Sequence, residues 1–309
     1  MTASCWICLG NLTTEEEPYH AKCLRPLFGS ARAPSVELGL AKLHTAGLAM
    51  VGHTSISGVQ RKISVGLSSD RSTLQVAIEG GRYLLKPASH TFPHLPENEH
   101  VTMRIAALVG IEIPPCGLIR LADGSVAYVC VRFDRPAGGG KLRQEDFCQL
   151  AERSPKEKYQ GSAELCVRLA KRYASEPLIE VLRLYRQLLF AWWTGNGDMH
   201  LKNFSLLTGG DGLHRLSPAY DLLCTRLVLP EDRLALPVGG KPDHLTRRSW
   251  LDLADYAGIG PRAAERVVGG ITDHVAAAAA MVERSALPQE MKGVYQALLR
   301  ERASVIAGR

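Results

Sequence analysis

The sequence predicts an α+β chain of two lobes, the first built of strands and the second of helices, with a small cysteine- and histidine-bearing appendage in front. Three observations lead there. Short β-prone runs crowd the stretch from residue 63 to residue 133, with Gly, Ser and Asp between them. From about residue 144 onward apolar residues recur at helical spacing instead. The first thirty residues gather Cys5, Cys8, His20 and Cys23 into a unit of their own. Expected boundaries are 1–30 for the appendage, 31–135 for the strand-rich lobe and 136–309 for the helical lobe. With 309 residues, 46% of them hydrophobic, each lobe can bury a core.

In the appendage, Cys5-Trp6-Ile7-Cys8 and His20-Ala21-Lys22-Cys23 flank an acidic turn at 15–17. Three thiols and an imidazole can complete a closed tetrahedral shell for zinc, structural because no position stays open for chemistry. The competing reading is reduced cysteines in a turn. Residues 31–50 read as a linker with some helical content. Strands are expected at 63–67, 74–78 and 83–86, a helix at 97–109 that stops at Gly110, and further strands at 117–121 and 126–133. A helix at 178–194, apolar over most of its circumference, should be central to the second lobe and end at Gly195. Past it come a hairpin at 206–216 and a strand at 233–238.

Composition narrows the function classes. The formal charge is +6, yet Lys and Arg are scattered, so nucleic-acid binding is permitted without being argued for. There is no basic leader and no apolar stretch near eighteen residues, which leads to the expectation of a soluble, cytoplasmic protein without membrane contact. Cys116, Cys130, Cys148, Cys166 and Cys224 stand singly among apolar neighbours and read as buried, inert thiols.

The segment Gly195-Asn196-Gly197-Asp198-Met199-His200-Leu201-Lys202-Asn203-Phe204 places a carboxylate five residues before an amide, just after an apolar helix. Phosphotransferases of the protein-kinase type need this pair: the Asp accepts the proton of the attacking hydroxyl, and the Asn ligates a magnesium ion against the phosphates. A second metal-binding Asp should follow, and Asp221 stands eighteen residues after Asn203. Oxygen donors of this kind suit magnesium. Lys86 closes a strand where such enzymes place the lysine that grips the phosphates of ATP, with Glu99, or else Glu97, as its ion-pair partner. The run Thr54-Ser55-Ile56-Ser57-Gly58-Val59-Gln60-Arg61-Lys62 lies where a phosphate-covering loop belongs, though its match to GxGxxG is poor. Ser55 and Ser57 there would themselves be open to phosphorylation. Lys202 could neutralise developing charge, and His200 either contacts phosphate or braces the loop. Backbone near Val131 would meet adenine, with Phe133 either flanking the base or packed as a core aromatic.

Ser55 to Lys62, Leu85-Lys86-Pro87, Glu97-Asn98-Glu99-His100, Arg132-Phe133-Asp134-Arg135, residues 195–204 and Ala219-Tyr220-Asp221-Leu222 together resemble the HipA family of toxin serine/threonine kinases. The resemblance implies a two-lobed protein-kinase-like fold and a toxin that uses ATP and Mg2+ to phosphorylate an aminoacyl-tRNA synthetase, held in check by a HipB-like DNA-binding antitoxin. DNA would be met only through that partner. By the same resemblance Asp198 matches the catalytic Asp, Asn203 and Asp221 the metal ligands, Lys86 the ATP lysine, and Ser55 and Ser57 the autophosphorylation positions. His200, Lys202 and Tyr220 match residues near the nucleotide, and Ser57, Gly58, Val59, Gln60 and Lys62 the phosphate loop. Members of full length carry an additional N-terminal subdomain. Its lack here, with the Ser-Ile-Ser loop, is similar to HipT, whose missing part is a separate small protein, HipS, and whose target suggests the tryptophanyl synthetase. The Cys/His appendage departs from the pattern. Two other readings remain: a lipid or small-molecule kinase, and a nucleotide-binding regulatory subunit of an antitoxin–DNA complex.

Overall fold

The computed structural model describes residues 3–13, 18–49, 61–89 and 91–308. The phosphate-loop expectations at Ser55, Ser57, Gly58, Val59 and Gln60 lie outside them. In chain order the elements are α1 (Ala21–Phe28), α2 (Leu40–Ala49), β1 (Ile63–Leu67), β2 (Leu74–Val76), β3 (Tyr83–Pro87), α3 (Leu95–Leu108), β4 (Cys116–Arg120), β5 (Val126–Val131), β6 (Gln144–Asp146), α4 (Phe147–Leu150), α5 (Ala163–Tyr173), α6 (Pro177–Trp193), β7 (Ser205–Thr208), β8 (His214–Leu216), α7 (Arg247–Tyr256), α8 (Pro261–Thr272), α9 (Val275–Arg284) and α10 (Gln289–Ala307). They form two compact units. One comprises residues 1–104, 114–141 and 284–287, and the other residues 105–113, 142–283 and 288–309.

The first unit is built on an antiparallel sheet in the order β2-β1-β3-β5-β4. Its register pairs Val65 with Tyr83, Lys86 with Tyr128 and Cys116 with Cys130. Apolar side chains of alternating strand positions, Ile63 and Val65 of β1 and Leu85 of β3, share one core with Leu24, Leu27 and Phe28 of α1 and with Cys5, Ile7 and Leu12. The residues expected as a separate appendage are therefore part of this unit. Their apolar positions, too few for a core alone, are buried against the sheet. On α3 the buried positions include Val101, Met103 and Ala106. The helix ends as expected: Gly110 takes φ 77°, and Ile111 N–H bonds back to Ala106 O at 2.9 Å.

In the second unit a small sheet, β6-β7-β8, accompanies the helices. Helix α6 begins with Pro177 at its first turn, where a missing N–H costs nothing. It buries Leu184, Leu188, Leu189, Phe190 and Trp193, which accounts for its apolar circumference. The strand expected at 233–238 does not form. Val238 makes only an isolated bridge with Lys241, because Pro237 has no N–H to donate and Gly239 and Gly240, at φ 56° and 76°, turn the chain at once. Two further expectations shorten: β2 stops at Val76, leaving Ile78 69% exposed, and β5 stops at Val131, short of Phe133.

Candidate active site

The chain leaves α6 through a turn that dictates its glycine. Gly195 sits at φ 72°; its N–H bonds to Trp192 O at 3.0 Å and Asn196 N–H to Ala191 O at 2.8 Å, the paired bonds that close a helix with a left-handed residue. Asn196 then ties two loops together. Its Oδ1 accepts the Asp198 N–H at 3.1 Å, and its Nδ2 donates to Asp221 O at 3.4 Å. Gly197 donates its N–H to Thr225 Oγ1 at 2.8 Å, and the Thr225 hydroxyl bonds the Asp232 carboxylate. A Cβ on Gly197 would fall 2.1 Å from Asp232 Oδ2 and 2.5 Å from Arg233 O, so close approach alone requires glycine here.

Asp198, the expected proton acceptor, is half-buried, and its Oδ1 accepts the Tyr159 hydroxyl at 2.6 Å. Burial, then that bond to Asp198, pushes the Tyr159 phenol upward, so it stays protonated as a donor. His200 is 5% exposed and packs edge-on against Tyr159, ring centroids 5.2 Å apart. Burial brings its pKa down to about 4 although Asp198 opposes the shift. A neutral imidazole of this kind adds no positive charge for a phosphate.

Lys202 is ion-paired with Asp146 Oδ2 at 2.6 Å, while Asp146 Oδ1 caps α4 through the Gln149 N–H at 2.9 Å. The charge expected to meet the transferring group is thus matched by a carboxylate. The Tyr220 hydroxyl lies 2.6 Å from Ser205 Oγ and 2.8 Å from Lys202 O, which commits its polar end to the loop and leaves the ring for any nucleotide contact. Asn203 is 5% exposed, and among the described residues none hydrogen-bonds its side-chain amide. Asp221 takes φ 56°, a conformation that Asp tolerates and that is common where function demands strain.

In the first unit Lys86 Nζ pairs with Glu99 Oε1, both side chains buried, and stands 5.3 Å from the Tyr128 ring centroid. Glu99 is therefore the partner, and Glu97 instead faces His94 at 3.6 Å. Val131 N–H is engaged by Pro115 O at 2.9 Å, so that amide is not the one left for adenine. Phe133 is half-buried in the turn after β5, and Lys62 immediately precedes β1.

The model of the HipA-like C-terminal domain family matches residues 54–279. That span is well over half the chain. The chain belongs to the HipA-like C-terminal domain family. Over 240 residues it is 32% identical to a Sinorhizobium fredii protein named "Putative kinase Y4mE", covering 74% of this chain and 56% of that one. It is 26% identical over 211 residues to the Serine/threonine-protein kinase toxin HipA of Shewanella oneidensis, covering 61% and 47% of the two chains. The chain spans about half the length of these curated relatives. Among solved structures, the Shewanella HipA in complex with HipB and operator DNA superposes with a TM-score of 0.67 at 21% identity, over 82% of this chain and 65% of that one. The expected α+β, kinase-like fold is the fold found.

A HipA-like chain implies ATP and magnesium, and the residues fit both. The unengaged amide of Asn203 and the carboxylate of Asp221, whose backbone Asn196 ties to the same loop, are the hard oxygen donors magnesium takes. Lys86, a buried cation fixed by Glu99, is the group a triphosphate requires. Sequence reasoning missed Asp146, Tyr159, Thr225 and Asp232. Each acts on the 195–203 loop from a distant position, the nearest being Thr225 at 28 residues from Gly197, and no local pattern announces such a contact.

Proposed function

We propose that this HipA-family chain is an ATP-dependent serine/threonine protein kinase. The observation that carries the reading is Asn196, whose one side chain holds the Asp198 amide and the Asp221 carbonyl, so the proposed proton acceptor and metal carboxylate share a register. Asp198 would take the proton of a serine or threonine hydroxyl as that oxygen attacks the γ-phosphoryl group. Asn203 and Asp221 would hold magnesium, which when bound neutralises charge on the phosphates. Lys86 would orient the α- and β-phosphates, and Tyr159 would keep the Asp198 carboxylate aimed.

The finer reading is a toxin of the HipT kind that phosphorylates an aminoacyl-tRNA synthetase, the tryptophanyl enzyme first among candidates, and that modifies itself at Ser55 and Ser57. A HipB-like antitoxin and a HipS-like small protein would be its partners. Support comes from the toxin name of one relative and from the structural neighbour that was solved with HipB and operator DNA. The test is incubation of the purified chain with ATP, magnesium and a panel of synthetases, with phosphate mapped by mass spectrometry. Phosphate on Ser55, Ser57 or one synthetase is expected. No phosphate on any protein, or transfer undiminished in Asp198→Asn, overturns the reading.

A further inference from the structure

The ligand atoms of Cys5, Cys8, His20 and Cys23 all lie within 4.8 Å of one another, in a part of the chain no step of phosphoryl transfer uses. Their spacing suits a metal. Zinc bonds of about 2.3 Å to sulfur and about 2.0–2.1 Å to nitrogen, at tetrahedral angles, give sulfur–nitrogen edges of roughly 3.6 Å. Cys8 Sγ and Cys23 Sγ stand 3.3 and 3.8 Å from His20 Nδ1. Two further observations point to a bound cation. His20 Nε2 faces the Asn11 carbonyl at 2.9 Å, and since a carbonyl only accepts, the ring proton sits there and the Nδ1 lone pair turns toward the sulfurs. Backbone N–H groups of His20 and Gly10 reach Cys5 Sγ and Cys8 Sγ, each at 3.4 Å, the donors that stabilise thiolates.

The two residues between the first pair of cysteines connect this cluster to the rest of the unit. Trp6 O accepts the Leu118 N–H of β4 at 2.9 Å, and Ile7 O is 3.1 Å from His100 Nε2 on α3. His100 follows Glu99, the partner of Lys86, directly in the helix. Tyr19, beside His20, donates its hydroxyl to Leu118 O at 2.9 Å. The approach is tight: a Cβ on Gly117 would lie 2.9 Å from Ile7 Cγ1 and 3.0 Å from Trp6 O. A loop pinned at both ends by Cys5 and Cys8 thus presents one carbonyl to the sheet and the next to the helix that carries Glu99.

We propose that Cys5, Cys8, His20 and Cys23 bind one zinc-class divalent ion, and that this ion, through the Trp6-Ile7 loop, fixes α3 and so the Lys86–Glu99 pair. Ion binding stands independently of the kinase reading; the consequence for ATP rests on it. The full chain, produced with zinc, should carry about one equivalent after desalting, and its cobalt form should show the thiolate charge-transfer and tetrahedral d–d bands of a sulfur-rich site. Cys23→Ala should lose the ion, Cys23→His should retain it, and Cys166→Ser should retain it in full. Should Cys23→Ala fold poorly, the wild-type chain answers instead: chelation should raise amide exchange in α3 and at Leu118 at least about tenfold while α6 keeps its protection, and zinc should restore it. A metal content below about a tenth of an equivalent after reconstitution overturns the site. Exchange in α3 that ignores chelation overturns the coupling. A chain that binds zinc and shows the coupled exchange yet transfers no phosphate sustains this proposal and defeats the kinase reading alone.

Discussion

The two units hold their key groups by opposite means. In the second, the backbone turn at the head of the 195–203 loop is set by geometry and neutral hydrogen bonds, through a left-handed glycine, the Asn196 amide and the Thr225 hydroxyl, while Lys202 farther along is held by the Asp146 carboxylate. In the first, the key groups are a buried ammonium against a buried carboxylate and a ring of four ligand atoms. Charges taken from water stabilise a fold only when fully compensated, whereas a backbone turn held by neutral hydrogen bonds needs no counter-charge. The first unit should therefore be the more sensitive to loss of a partner, and the second the more sensitive to added atoms.

Lys86→Ala breaks this contrast at its strongest point. It leaves Glu99 buried without its ammonium and should cost about 3–5 kcal/mol, read from the denaturant midpoint. In the second unit Gly197→Ala should cost about 1–3 kcal/mol, because its methyl group must displace Asp232 and the Arg233 backbone. Activity should fall with it in a transfer assay. Acid sharpens the contrast differently, since among the described residues each unit holds one buried histidine, His100 and His200, both brought down to about 4 by burial. The unfolded chain takes up these protons near pH 6.5 and the folded one does not, so the stability involved is complete above about pH 6.5 and falls as pH drops toward 4. The slope should reach up to about 1.4 kcal/mol per pH unit for each histidine, measured by urea midpoints across that window, and His200→Gln should remove its share. Smallest is Tyr159→Phe, at a half-exposed position: a change of under about 1 kcal/mol in stability with a few-fold loss of transfer rate, seen in single-turnover kinetics.

Much of this was legible in the sequence where the signal is local. The helix ends at Gly110 and Gly195 and the strands around Val65 and Leu85 each rest on a few adjacent residues. What stayed hidden depends on distance along the chain. Asp146 pairs with Lys202 across 56 residues and Tyr159 reaches Asp198 across 39. The division at residue 30 failed as a core boundary for the same reason, since nothing in Leu24, Leu27 and Phe28 says which sheet covers them. Residues 233–238 misled in the other direction: their apolar alternation is strand-like, but Pro237 and two glycines in left-handed conformations stop the ladder.

Transfer of labelled γ-phosphate from ATP with magnesium, compared between the wild-type chain and Asp198→Asn at matched melting temperature, tests the central claim most directly. Loss of the proposed proton acceptor should slow transfer by about 10²–10⁴-fold with the fold intact. Transfer within about threefold of wild type would show that Asp198 is not the proton acceptor, and that the 195–203 loop does something other than phosphoryl transfer.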